Sequence, residues 1–154
     1  MFWEAFLGII IAIIIYNLIH RIFVVNPTKK TQLLAENHCK QILNDFLTSL
    51  SKDNDNYNLS IVNSKVLSDV WGRGIQVFEF QIAVDEQDVT KKLSFLKQNL
   101  KLMFEDRNSD PKINDHQIKI TDLWQYDRFI HIEIAYLANQ STREYINDLE
   151  RLTE

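Results

Sequence analysis

Hydrophobic and polar positions divide the chain into one unbroken apolar run and a longer stretch of alternating patterns. The segment Phe6-Leu7-Gly8-Ile9-Ile10-Ile11-Ala12-Ile13-Ile14-Ile15-Tyr16 carries no charge, and widening it to Met1–Ile19 admits one acid, Glu4, and one amide, Asn17. Coiled as a helix, those residues rise about 28 Å, close to the hydrocarbon thickness of a bilayer. Phe2, Trp3, Phe6, Ile10, Ile14 and Ile19 are therefore assigned to a membrane span, with the rings of Phe2, Trp3 and Tyr16 suited to headgroup level. A cleaved signal peptide needs a basic start and a small-residue cleavage site, whereas Met1-Phe2-Trp3-Glu4 is acidic and the residues from Tyr16 to Val25 are bulky. A buried core helix is the other alternative. It fails because the run is apolar on every face and the remaining chain is too small to surround it.

After the run, Pro27 is expected to end the helix, because a residue before proline is biased out of the helical region. The span and its extension thus occupy residues 1–25. A second helix is read over 28–52, where Leu34, Cys39, Ile42, Leu43, Phe46, Leu47 and Leu50 keep mostly three- and four-residue spacing.

Two later stretches resemble each other. Ser68-Asp69-Val70-Trp71 recurs as Thr121-Asp122-Leu123-Trp124, 53 residues on, and Phe80-Gln81-Ile82-Ala83-Val84 is echoed by Ile132-Glu133-Ile134-Ala135-Tyr136 at an offset of 52. We read these as two ββα units, 57–107 and 112–154. In their second strands Phe78, Phe80, Ile82 and Val84, then Ile130, Ile132, Ile134 and Tyr136, fall on alternate positions, as on a sheet with one face in a core. Gly72-Arg73-Gly74 suits a hairpin turn, and Gln125-Tyr126-Asp127-Arg128 suits a slightly longer one. Helices are expected from about Asp88 to Arg107 and from about Ser141 to Leu152. The expected fold is α+β: an N-terminal transmembrane helix and an amphipathic helix, then a four-stranded antiparallel sheet of duplicated units with their helices on one face.

Charge adds an orientation. Only Glu4 precedes the span, while His20, Arg21, Lys29 and Lys30 follow it, which favours an N-terminus outside and a cytoplasmic domain. A lone cysteine, Cys39, suits a reducing compartment. A net charge of −4 without a long basic run argues against a nucleic-acid partner.

The candidate chemistry is sparse. There is no HExxH, CxxC, GxSxG or glycine-rich phosphate loop, so no catalytic role, cofactor or metal is assigned. His38 and Cys39 are adjacent on a helix and point about 100° apart, a poor shared site. His131 and Glu133 share a strand face, and Glu79 and Gln81 join them if the two units pair centrally. That polar face is a candidate ligand or metal site, weighed against a solvated sheet surface. Trp71 and Trp124, beside Arg73 and Arg128, are candidate partner-binding residues, because Trp and Arg are favoured hot-spot types. Their structural alternative is packing at a sheet end.

These readings predict a membrane-tethered, non-enzymatic adaptor or accessory subunit of a larger assembly of the secretion, DNA-transfer or division type. Its partners would be the bilayer and another protein or a second copy. Gly8 and Ala12 give homo-oligomerisation one small-xxx-small pair. The alternative is a sensor domain that binds a ligand or metal on the His131/Glu133 face.

Overall fold

The structure is a computed structural model that describes residues 2–53, 59–67, 74–84, 89–113 and 115–153. It comprises two compact units, residues 1–34 and 35–154. In the first, α1 (Phe2–His20) leads through a π-helical turn (Arg21–Val25) into α2 (Asn26–Asp53), which continues into the second unit. Among the described residues one helix is long and apolar enough to cross a membrane, and it runs from Ala5 to Lys52. Trp3, Phe6, Ile10, Ile14 and Ile19 are exposed along α1.

Pro27 does not end the helix as expected. Within a regular helix its ring strikes the preceding turn and its missing N–H leaves a carbonyl bare. Here the backbone widens just before it, so that the Asn26 N–H reaches back five residues to the Arg21 carbonyl. The wider turn accommodates the ring. The Thr28 hydroxyl then donates to the Val24 carbonyl at 2.7 Å, satisfying an acceptor beside the break.

The second unit is an α+β domain. Its elements after α2 are β1 (Ser60–Val66), β2 (Val77–Ala83), α3 (Val89–Ser109), β3 (Ile118–Tyr126), β4 (Phe129–Tyr136) and α4 (Gln140–Thr153). The strands form an open antiparallel sheet in the order β1-β2-β4-β3. The second strands are the central pair, and Phe80 lies opposite Ile132. Bulges interrupt both outer strands, between Ile61 and Asn63 and between Ile120 and Asp122.

One sheet face carries the main core. Phe78, Phe80 and Ile82 of β2 and Ile130, Ile132 and Ile134 of β4 are buried under Leu43 and Leu47 of α2 and Leu96, Leu100 and Phe104 of α3. The Phe46 and Phe104 rings meet at 5.8 Å between centroids, joining the two helices. Each such side chain contributes about 1.5–3 kcal/mol by leaving water. Leu34, assigned to the same stripe from its spacing, is instead exposed.

The two helices of the ββα units, expected on one face, lie on opposite faces: α3 packs on the main face together with α2, and α4 does not. Ile146 of α4 packs with Leu67, Val77 and Ala135 in a separate cluster. Val77 and Ala135 are register partners whose side chains alternate with Phe78 and Ile134, and so point to the opposite face. The main face is already covered by α2 and α3, leaving this smaller apolar patch for α4. Asn139 fixes the crossing: its side chain accepts from the Thr142 N–H at 2.8 Å, capping the helix, and donates to the Gly74 carbonyl at 2.7 Å.

The turn between β3 and β4 is tighter than expected. The strands run to Tyr126 and from Phe129, leaving only Asp127 and Arg128 between them. Asp127 takes φ +54°, a conformation that aspartate tolerates better than most residues. Gly74 has φ +91°, which glycine adopts without a Cβ clash. Gly72 and Arg73 lie outside the described residues.

Candidate functional site

Central pairing of β2 with β4 brings together all four residues of the polar sheet face, Glu79 opposite Glu133 and Gln81 opposite His131. His131 Nδ1 lies 2.7 Å from a Glu79 carboxylate oxygen. A carboxylate accepts only, so Nδ1 carries a proton. Trp124, opposite His131 on β3, stacks over the imidazole at 5.1 Å and 15°, and Tyr126 meets it edge-on at 6.3 Å. The result is a histidine only 7% exposed, whose buried Nε2 has no hydrogen-bond partner among the described residues. Gln81 accepts from the Asn63 side chain at 3.4 Å.

Glu133 is half-buried. Burial raises its pKa, the Thr121 hydroxyl at 3.3 Å opposes the shift, and the nearby Asp122 and Glu79 charges reinforce it. Tyr145 of α4 is raised by burial and by the charges of Glu133 and Asp122. Among the described residues no group of three or more His, Cys, Asp or Glu is arranged to hold a metal ion.

Of the candidate partner-binding residues, Trp124 and Arg128 lie among the described residues. Trp124 is half-buried on its histidine, and the Arg128 guanidinium lies 5.3 Å from the Phe129 ring centroid at the β3–β4 turn. Trp71 and Arg73 lie outside the described residues.

Sequence reasoning missed the most completely hydrogen-bonded polar cluster. Asp115, in the loop before β3, receives Tyr136 Oη at 2.8 Å and the His116 N–H at 2.7 Å on one oxygen. Its other oxygen takes Arg107 Nη2 at 2.6 Å and a short contact with His38 Nε2. Desolvation opposes ionisation of Asp115, but the hydrogen bonds from Tyr136, His38 and the His116 backbone outweigh it and hold the carboxyl at about 2. Burial, joined by the bond to Asp115, pushes the Tyr136 phenol up to about 12. Four donors fill the lone-pair sites of one carboxylate, leaving no capacity for a substrate. The cluster therefore clamps α2, α3 and β4 to the loop before β3.

Cys39 lies beneath this clamp and is fully buried. Burial pushes its thiol up to about 12, with Arg107 opposing and Asp115 and Glu36 adding to the shift. A thiol so placed is neither nucleophile nor ligand at neutral pH.

A groove of about 590 Å³ runs along the outer edge of β3, bordered by α3 on one side and α4 on the other. Compared with known proteins, the chain matches no family model, no curated protein and no solved structure.

Proposed function

We propose that this chain is a membrane-anchored, non-enzymatic adaptor or accessory subunit of a larger membrane-associated assembly of the secretion, DNA-transfer or division type. The observation that carries the proposal is the aliphatic surface of α1, exposed on all sides, in a chain that also contains a separate α+β unit. Isoleucine, leucine and aromatic side chains in such a run are stable only against lipid or another apolar surface. The span is placed at Phe2–Ile19. Arg21, Lys29 and Lys30 after it favour a cytoplasmic domain with the N-terminus outside.

For the domain, a binding role is supported by what its polar residues already do. Asp115 is saturated, Cys39 is buried, and His131 is held between Glu79 and Trp124. Photo-cross-linking in native membranes, with the reactive group placed at Glu105, Thr121 or Tyr126, tests the adaptor reading. One protein captured in stoichiometric amount is expected; recovery of the uncross-linked monomer from every position would refute it.

The sensor alternative on the His131/Glu133 face is the weaker reading, because the free imidazole nitrogen is buried under Trp124. It requires a thermal shift with a ligand or divalent ion that His131→Ala abolishes. We also propose that the two hairpins descend from one ancestral hairpin. Phe80 and Ile132, equivalent in the sequence match, are register partners at the centre of the sheet, as a local two-fold demands. The opposite placement of α3 and α4 restricts this proposal to the strands. Absence of the Asp-x-Trp correspondence from related sequences would remove its basis.

A further inference from the structure

We infer that the outer edge of β3 receives an extended segment of a partner protein as a fifth strand, with acidic side chains facing α3 and apolar ones facing α4. This rests on the adaptor reading and names the surface and the chemistry of its partner.

The β3 edge is the side of the strand turned away from β4, so its outward backbone groups have no strand partner among the described residues. A groove of about 590 Å³ lies along this edge. Asn108 of α3 marks how the edge is used. Its side-chain oxygen accepts from the Ile118 N–H at 3.1 Å, and its amide donates to the Ile118 carbonyl at 2.7 Å. Those are the two bonds that one residue of an added strand makes. The side chain therefore occupies the first position of a strand that the fold does not supply, and the groove continues from there past Ile120 to Leu123.

The charges follow the same axis. From Asn108 back to Lys97 the helix covers about 16 Å, and from Ile118 forward to Leu123 the strand covers a similar distance. Lys101 and Lys97 thus border the part of the groove beyond Asn108 and make no ion pair among the described residues. They stand four residues apart, about 6 Å along a helix, close to the 6.6–6.8 Å between alternate residues of a strand. Two acidic side chains on one face of an added strand therefore meet two lysines. Glu105 lies nearer Asn108, which confines the acidic positions to the Lys97–Lys101 half. On the other face, Lys119 is already paired with Glu150, and Leu137 and Ile146 offer an apolar wall. A second copy fits less well, because the bulge between Ile120 and Asp122 would be met by an identical bulge, and each edge is bordered by its own helices.

The test uses the full chain in nanodiscs and fluorescent decapeptides of alternating Glu and Val, with alternating Lys and Val as the control. Fluorescence anisotropy is expected to report saturable binding of the acidic peptide only. Lys97→Glu with Lys101→Glu should weaken it about ten-fold or more. N-methylation of alternate residues, made in both registers, should abolish binding in one register and spare it in the other, since only one set of N–H groups faces β3. No saturable binding, equal binding of the basic peptide, indifference to charge reversal, or equal effects of both N-methyl registers would each overturn the inference. So would an efficient disulfide between Thr121→Cys copies. A partner cross-linked through Tyr126 but never through Thr121 would leave the adaptor reading standing and remove this one.

Discussion

Two polar side chains with several partners each, Asp115 and His131, carry the domain's most specific contacts. Asp115 has a folded pKa of about 2 against an ordinary 3.8, so its stabilisation is complete above the unfolded value and is lost as the pH falls from about 4 toward 2. Asp115→Asn places an amide donor against Arg107 and His38, and should lower stability at neutral pH by about 1–2 kcal/mol for this partly exposed group. It should also flatten the acid limb of a denaturation series in micelles; an unchanged limb would show that Asp115 is not the titrating clamp. His131 and Trp124 should be coupled, because the indole rests on the imidazole. A double-mutant cycle of His131→Ala and Trp124→Ala is expected to give about 0.5–1.5 kcal/mol of interaction, and additive losses would contradict the stacked arrangement. Of these two groupings only the second was legible in the sequence. His131, Glu133, Glu79 and Gln81 declare a shared face through strand period. Asp115 finds His38, Arg107 and Tyr136 through three separate elements, and no spacing encodes that.

The buried faces of α2 from Cys39 and of the central strands were read from their own periods, whereas the face covered by α4 and the passage through Pro27 were not. The stripe from Cys39 to Leu50 and the alternating strands specify buried faces by their own periods. Which face α4 covers depends instead on α2, which fills the main face with Leu43 and Leu47. The continuation past Pro27 likewise depends on a π turn that no residue in Arg21–Val25 announces. The β3–β4 turn offers a test at this scale. Asp127 sits at φ +54°, where glycine is relaxed and a β-branched residue is strained. Asp127→Gly should hold or raise stability by up to about 1 kcal/mol, and Asp127→Val should lower it by about 1–2 kcal/mol. Chemical denaturation measures both, and a valine variant as stable as the parent would contradict the tight turn.

At the scale of the whole molecule, the apolar run was the plainest feature of the sequence, because length and lack of charge need no tertiary information. The burial of Cys39 changes how the proposed anchor must be tested, since a fully buried thiol cannot report which side of a membrane the domain occupies. A Cys39→Ala, Lys112→Cys chain moves the reporter to an exposed loop. The decisive measurement is its labelling by a membrane-impermeant maleimide in alkali-washed vesicles of known orientation. Retention of the chain through the wash, with labelling in inside-out vesicles only, is the expected result. Loss of the chain into the wash, or labelling in right-side-out vesicles, would contradict an anchored protein with its domain in the cytoplasm.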